Sequence, residues 1–167
     1  GNDEVEMLLG GDGFIAIDEL ERHQPAEITT TTEEHLPDGS WAMVEHRSVE
    51  WFEPKAEGNT PMYEAMLRIR DLVKDWCAKK ENKESFPPVV IHITDGEASD
   101  CDDRELIDIC SQIKQTGTAD GNTLLLNIHI SADNQLPAIL FPMPDEILAA
   151  RHHAKTLADC SSIMPET

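Results

Sequence analysis

Apolar and polar positions along this chain follow two rhythms, and the change between them divides it. Over residues 61–80 apolar side chains return every three or four positions, at Met62, Ala65, Met66, Ile69, Leu72, Val73 and Trp76. That period gathers them into one stripe of an amphipathic helix. Thr60 suits the cap of this helix, and Pro61 suits its first turn, where a missing N–H costs nothing. Pro87-Pro88 stops the pattern, and Val89-Val90-Ile91-His92-Ile93-Thr94 follows as a nearly continuous apolar run. Such a run marks a strand buried on both faces of a parallel sheet. A helix over about 104–114, a second buried-type strand over 123–130 and a last helix over 146–159 complete the series. Helices and strands in alternation predict an α/β fold, its parallel strands joined by crossovers with helices on both faces.

The first third reads differently. Glu4 to Leu9 is a short strand-like stretch ending at Gly10-Gly11, and Phe14 to Arg22 fits a short strand or a helix, of which the helix is taken. Glu27 to Glu34 and Trp41 to Phe52 are both β-rich, and Leu36-Pro37-Asp38-Gly39-Ser40 lies between them. Pro presets φ and Gly supplies positive φ, so Pro-Asp-Gly is turn chemistry. The prediction is an antiparallel hairpin inserted as an excursion, about 26–54, into a single partial domain spanning 1–167. Trp41, Val49, Trp51 and Phe52 are read as packing within the hairpin; exposure would make them a partner surface instead.

Composition narrows the class. With 40% hydrophobic and 28% charged residues in 167, the chain has enough apolar content for one folded domain. Thirteen Lys and Arg against thirty-three Asp and Glu give a formal net charge of −20. That surface repels phosphate backbones and anionic lipid, which removes nucleic acid and membrane from the expected partners. Cys77, Cys101, Cys110 and Cys160 form no CxxC pair. Free thiols on apolar helix faces point to a reducing compartment and so to a cytoplasmic location. The chain opens Gly1-Asn2-Asp3 rather than with Met, as a processed or engineered piece would.

Candidate chemistry gathers at one place. In parallel α/β sheets ligands bind beyond the carboxyl ends of the strands. Thr94-Asp95-Gly96-Glu97-Ala98-Ser99-Asp100 stands just there, so Asp95 can aim a carboxylate into a crevice while Gly96 permits a sharp exit. An EF-hand starting at Asp95 fails, because it wants Gly at Asp100 and Glu at Leu106. Asp100, Asp102 and Asp103 read instead as capping the helix that follows. His92 and His129, near the ends of neighbouring strands, are read as hydrogen-bonded histidines before a shared metal site. His152 and His153 are adjacent on a helix and point apart. No GxSxG elbow, HExxH helix or phosphate-cradling glycine loop is present. Cys101 sits among carboxylates that would raise its pKa and blunt it as a nucleophile.

Gly58-Asn59-Thr60-Pro61-Met62 opening a helix, followed downstream by Thr94-Asp95-Gly96 at a strand tip, resembles the von Willebrand factor type A family. Trp51-Phe52-Glu53-Pro54, Ser85-Phe86-Pro87-Pro88 and Ser161-Ser162-Ile163-Met164-Pro165 are similar to its bacterial branch. The resemblance implies a Rossmann-like, mostly parallel sheet and a metal-ion-dependent adhesion site built from three loops. It assigns Thr60 to the second loop and Asp95 to the third. The first-loop pattern, DxSxS, occurs nowhere in the sequence, so the chain is expected to lack the family's central first strand. The implied function is a protein–protein interaction module rather than an enzyme. It would hold Mg²⁺ or Mn²⁺, weakly or not at all in this piece, with an acidic side chain of a protein partner completing the site. A sheet lacking its centre is further expected to self-associate as a homo-oligomer or element-swapped dimer. The alternative function is a metal-assisted hydrolase using the Asp95 loop.

Overall fold

A computed structural model describes residues 5–9, 13–20, 22, 25–51, 58–130, 140–142, 146 and 152–163. The chain forms two compact units, residues 6–57 and residues 1–5 with 58–167.

In the first unit Glu6 to Leu9 forms no strand and ends in a turn at Leu8-Leu9, against the expectation of a short strand. The expected helix shrinks to one turn, α1 (Ile17–Leu20). Four residues cannot cover the cost of helix nucleation by themselves. The hairpin forms as predicted, β1 (Ala26–His35) pairing antiparallel with β2 (Trp41–Glu50) from Ala26↔Glu50 to His35↔Trp41. Gly39 takes φ +88°, and Asp38 Oδ1 accepts from both the backbone N–H (2.9 Å) and the hydroxyl (2.6 Å) of Ser40. Those bonds hold the Asp38 carboxyl below its ordinary pKa, the hydroxyl bond contributing most. Trp41, Met43 and Val49 share one exposed face of the ribbon. Trp41 packs within the hairpin only edge-on against its cross-strand neighbour His35, centroids 5.1 Å apart, and otherwise stays exposed. Trp51 is also exposed, and Phe52 lies outside the described residues.

The second unit carries the α/β alternation. Helix α2 (Met62–Ala78) buries Met62, Met66 and Val73 from the predicted stripe. A 3₁₀ turn (Lys80–Asn82) leads through Pro87-Pro88 into β3 (Val89–Thr94). Helix α3 (Asp103–Gln115) and a two-rung ladder, β4 (Gly117–Thr118) with β5 (Gly121–Asn122), come next. Strand β6 (Leu124–His129) then pairs parallel with β3, from Val89↔Leu124 to Thr94↔His129. Of the last predicted helix the described part is α4 (His152–Cys160); Glu146 is helical, and residues 147–151 lie outside the description.

The core explains the arrangement. Met62 and Met66 of α2, Leu106, Ile109, Cys110 and Ile113 of α3, Leu125 of β6, and Leu157 and Cys160 of α4 form one buried cluster, with Val90 packed against it. Val90 and Leu125 occupy the same sheet face by register. The opposite face does not match the prediction of helices on both sides. Val89, Ile91, Ile93 and Ile128 share it and are exposed, Ile91 at 61% and Ile93 at 58%. Periodicity reads those residues as two-sided burial because the run is apolar throughout; among the described residues only one side is covered. The far edge of β6 is taken by Ser162, which donates its N–H to Leu125 O (2.8 Å) and accepts from Leu125 N on its hydroxyl (2.9 Å). Strand β3 is left as the open edge among the described residues.

Candidate functional site

Two loops distant along the chain meet at the carboxyl end of β3. Thr60 donates its N–H to Ser99 Oγ at 3.0 Å, and Ser99 returns its N–H to Thr60 O at 3.0 Å. This reciprocal pair is short and doubly satisfied, so it fixes the 58–62 turn against the 94–100 loop. A Cβ added to Gly96 would stand 3.4 Å from Thr60 Oγ1, which places the Thr60 hydroxyl directly over the Asp95-Gly96 corner. The Thr94 hydroxyl lies 3.2 Å from Gly96 N and 3.3 Å from Gly96 O, pinning the same corner from below. Gly96 does not use a left-handed backbone, so the sharp exit foreseen for it needs no glycine φ.

Asp100 does something other than predicted. Its two carboxylate oxygens accept from Tyr63 N and Glu64 N, both at 3.0 Å. It therefore caps α2 across the fold, where orphan amides and the helix dipole both favour an anion. Thr60, expected to cap that helix, does not; Pro61 holds the N-cap position and makes no side-chain cap bond. The Thr60 hydroxyl, relieved of capping, has no protein partner among the described residues. Asp102 and Asp103 behave as foreseen. Asp102 Oδ1 accepts from Glu105 N (2.9 Å) while Asp102 N donates to Glu105 Oε2 (3.0 Å), a complete capping box, and Asp103 begins α3.

Asp95 and Glu97 remain as exposed carboxylates on the corner, Asp95 beside a half-buried Thr60. A cavity of about 280 Å³ opens beside Glu97, bordered by Met62, Cys101, Asp103 and His153 among others. The Cys101 thiol is pushed up to about 11, first by burial and then by Asp100, Glu105 and Asp102, so it is a poor nucleophile at neutral pH. Deeper in, Cys110 is raised by its hydrogen bond with Cys160 and by burial. Ser99 spends its hydroxyl accepting from Thr60 and faces no base in the described contacts.

The histidines sort as the sequence suggested in part. His92 does not meet His129; its Nδ1 contacts Asn127 Oδ1 at 2.8 Å, and Asn127 Nδ2 donates to Ser161 Oγ and Leu157 O. His152 and His153 do diverge, His152 toward Asp103 (3.1 Å) and His153 toward Glu97 (3.2 Å). The contact that sequence reasoning missed is His129 Nε2 to His153 Nε2, 3.0 Å. It joins the end of β6 to the start of α4, and no local pattern announces it. Among the described residues no three His, Cys, Asp or Glu side chains converge as a metal cluster, and no helix is long and apolar enough to cross a membrane.

Comparison of the chain with protein-family models, with curated proteins and with solved structures returns no match.

Proposed function

We propose that this chain is a protein-interaction module of the von Willebrand factor type A kind, with a divalent-cation site at the Thr60–Asp95 corner. One observation carries the reading: the Thr60–Ser99 bonds draw a hydroxyl-bearing turn onto a carboxylate-bearing strand tip. Mg²⁺ and Mn²⁺ are hard ions that take oxygen donors in near-octahedral array. The Thr60 hydroxyl and the Asp95 carboxylate are of the right type, and neither is spent on another protein group among the described residues. They offer two donors, so water and other groups fill the remaining positions and the ion is held weakly. An acidic side chain from a protein partner fits one of those positions, which makes partner binding cation-dependent. The chain's −20 net charge disfavours nucleic acid and anionic membrane for the same role.

A second property is supported by a separate observation. Strand β3 joins an open edge to the exposed face of Val89, Ile91 and Ile93. Parallel sheets are ordinarily covered on both faces and edges invite pairing. A second copy of this chain is the occupant we assign, giving a homo-oligomer.

The cation reading is tested by thermal unfolding in Mg²⁺ against NaCl of equal ionic strength. A ligand that binds only the folded state raises stability by about 0.4 kcal/mol when its concentration equals Kd. The expected result is a rise in Tm that Asp95→Ala and Thr60→Ala each remove. An equal rise in both variants removes the site. Mg²⁺-dependent hydrolysis of a phosphate or carboxylic ester, lost in Asp95→Ala, would replace the binding module with a hydrolase.

A further inference from the structure

We infer that His129 and His153 form a second metal site, for a borderline divalent transition ion of the zinc class, with Glu97 as its orienting carboxylate. His153 Nδ1 lies 3.2 Å from Glu97 Oε1. A carboxylate oxygen accepts, so His153 Nδ1 is the donor toward Glu97, and the tautomer this selects carries its lone pair at Nε2. That lone pair faces His129 Nε2 at 3.0 Å, with ring centroids 4.6 Å apart. A carboxylate behind one nitrogen with the other nitrogen presented outward is the usual setting of a metal-binding histidine.

The spacing is also right. With metal–nitrogen bonds of about 2.0–2.1 Å, two imidazoles on one ion stand ~3.3 Å apart in tetrahedral geometry. They stand ~2.9 Å apart when they are cis in a tetragonal site. The observed separation lies between these values, so an ion enters with movement of a few tenths of an ångström. Without metal, His129 Nε2 donates its proton to the His153 lone pair. With metal, that proton leaves to solvent, and both Nε2 atoms become donors to the ion.

Backbone placement supports the geometry. His129 is the register partner of Thr94, the last residue of β3, so the ring is carried by paired strand. His153 lies in the first turn of α4, and its side chain is 21% exposed. Both rings are thus partly sheltered yet reachable by an ion. Two nitrogens leave positions for water or for an incoming carboxylate. Nitrogen donors separate this site in chemistry from the all-oxygen Thr60–Asp95 corner, and it stands without that reading.

The test titrates Co²⁺ alone, as a spectroscopic stand-in for zinc, into the full chain under reducing conditions. Histidine ring protons are followed by NMR and affinity by competition with a chromophoric chelator. The expected result is one ion that shifts the His129 and His153 ring resonances paramagnetically, without a thiolate-to-cobalt charge-transfer band. His129→Ala and His153→Ala should each weaken binding at least tenfold, and Glu97→Gln by about tenfold. His152→Ala should leave affinity unchanged. Unshifted His129 and His153 rings in the wild type would overturn the proposal whatever the variants do. So would loss of the ion in His152→Ala, or retention of full affinity in both single-histidine variants.

Discussion

At the scale of single residues, neighbours decide what each acidic or thiol group does more than residue type does. Asp95, Asp100 and Asp102 stand within eight positions of one another, yet one is uncommitted, one caps α2 and one caps α3. Sequence alone fixes the role of Asp102, because its partner Glu105 is three residues away. It misplaces Asp100, because Tyr63 and Glu64 are 37 and 36 residues away. Cys101 gives this scale its prediction. Its pKa of about 11 against an ordinary 9.0 leaves about one hundredth of the usual thiolate at pH 8. Alkylation by iodoacetamide, located by peptide mass spectrometry, should therefore run about a hundredfold slower at Cys101 than at a small-peptide thiol at pH 8. The gap should close as pH rises through 11. The sign for stability follows: the folded state holds this proton more tightly than the unfolded chain, so stability attached to it is intact below about pH 9 and is lost from there towards 11. Labelling at pH 8 as fast as the peptide would contradict the burial and charge assigned to this thiol.

At the scale of elements, Asp100 joins two segments that periodicity treats as unrelated. By satisfying two first-turn amides of α2 it ties that helix to the loop leaving β3, next to the Thr60–Ser99 pair. Asp100→Ala should cost about 1–2 kcal/mol in urea unfolding. It should also broaden the amide signals of Thr60 and Ser99 in NMR, which Asp102→Ala should not. A neutral Asp100→Ala would mean that the two loops are held together by something else. The elements themselves were readily legible: α2, β3, α3 and β6 all fall within a few residues of their predicted bounds. Each carries a long, unambiguous apolar pattern or stands between strong breakers such as Pro87-Pro88. The β4–β5 ladder was not legible, since two-residue strands carry no period. The fate of Val5 to Leu9 was not legible either, because a short apolar run is equally compatible with a turn. In the candidate site, Thr60 and Asp95 were visible as motifs, whereas the His129–His153 contact depends wholly on tertiary convergence.

At the scale of the whole molecule, charge and apolar surface oppose each other. A chain of net charge −20 repels its own copies, while burying the exposed Val89–Ile91–Ile93 face against a second copy, as proposed, would favour association. Salt screens the first over about 8–10 Å near physiological strength and leaves the second intact. Self-association followed by light scattering should therefore strengthen from low to moderate NaCl and with protein concentration. Ile91→Lys combined with Ile93→Lys should return the monomer. A monomer at every concentration and salt, or a dimer indifferent to both lysines, would remove the sheet face from the account.

The hard-cation site proposed where the Thr60 turn meets the Asp95 corner is most directly examined by adding Mn²⁺ to isotope-labelled full chain and recording amide NMR. Paramagnetic broadening reports even weak occupancy. The account predicts broadening centred on residues 58–62 and 94–99, abolished by Asp95→Ala and persisting when His153 is replaced by Ala. Broadening centred elsewhere, or unchanged in Asp95→Ala, would contradict it.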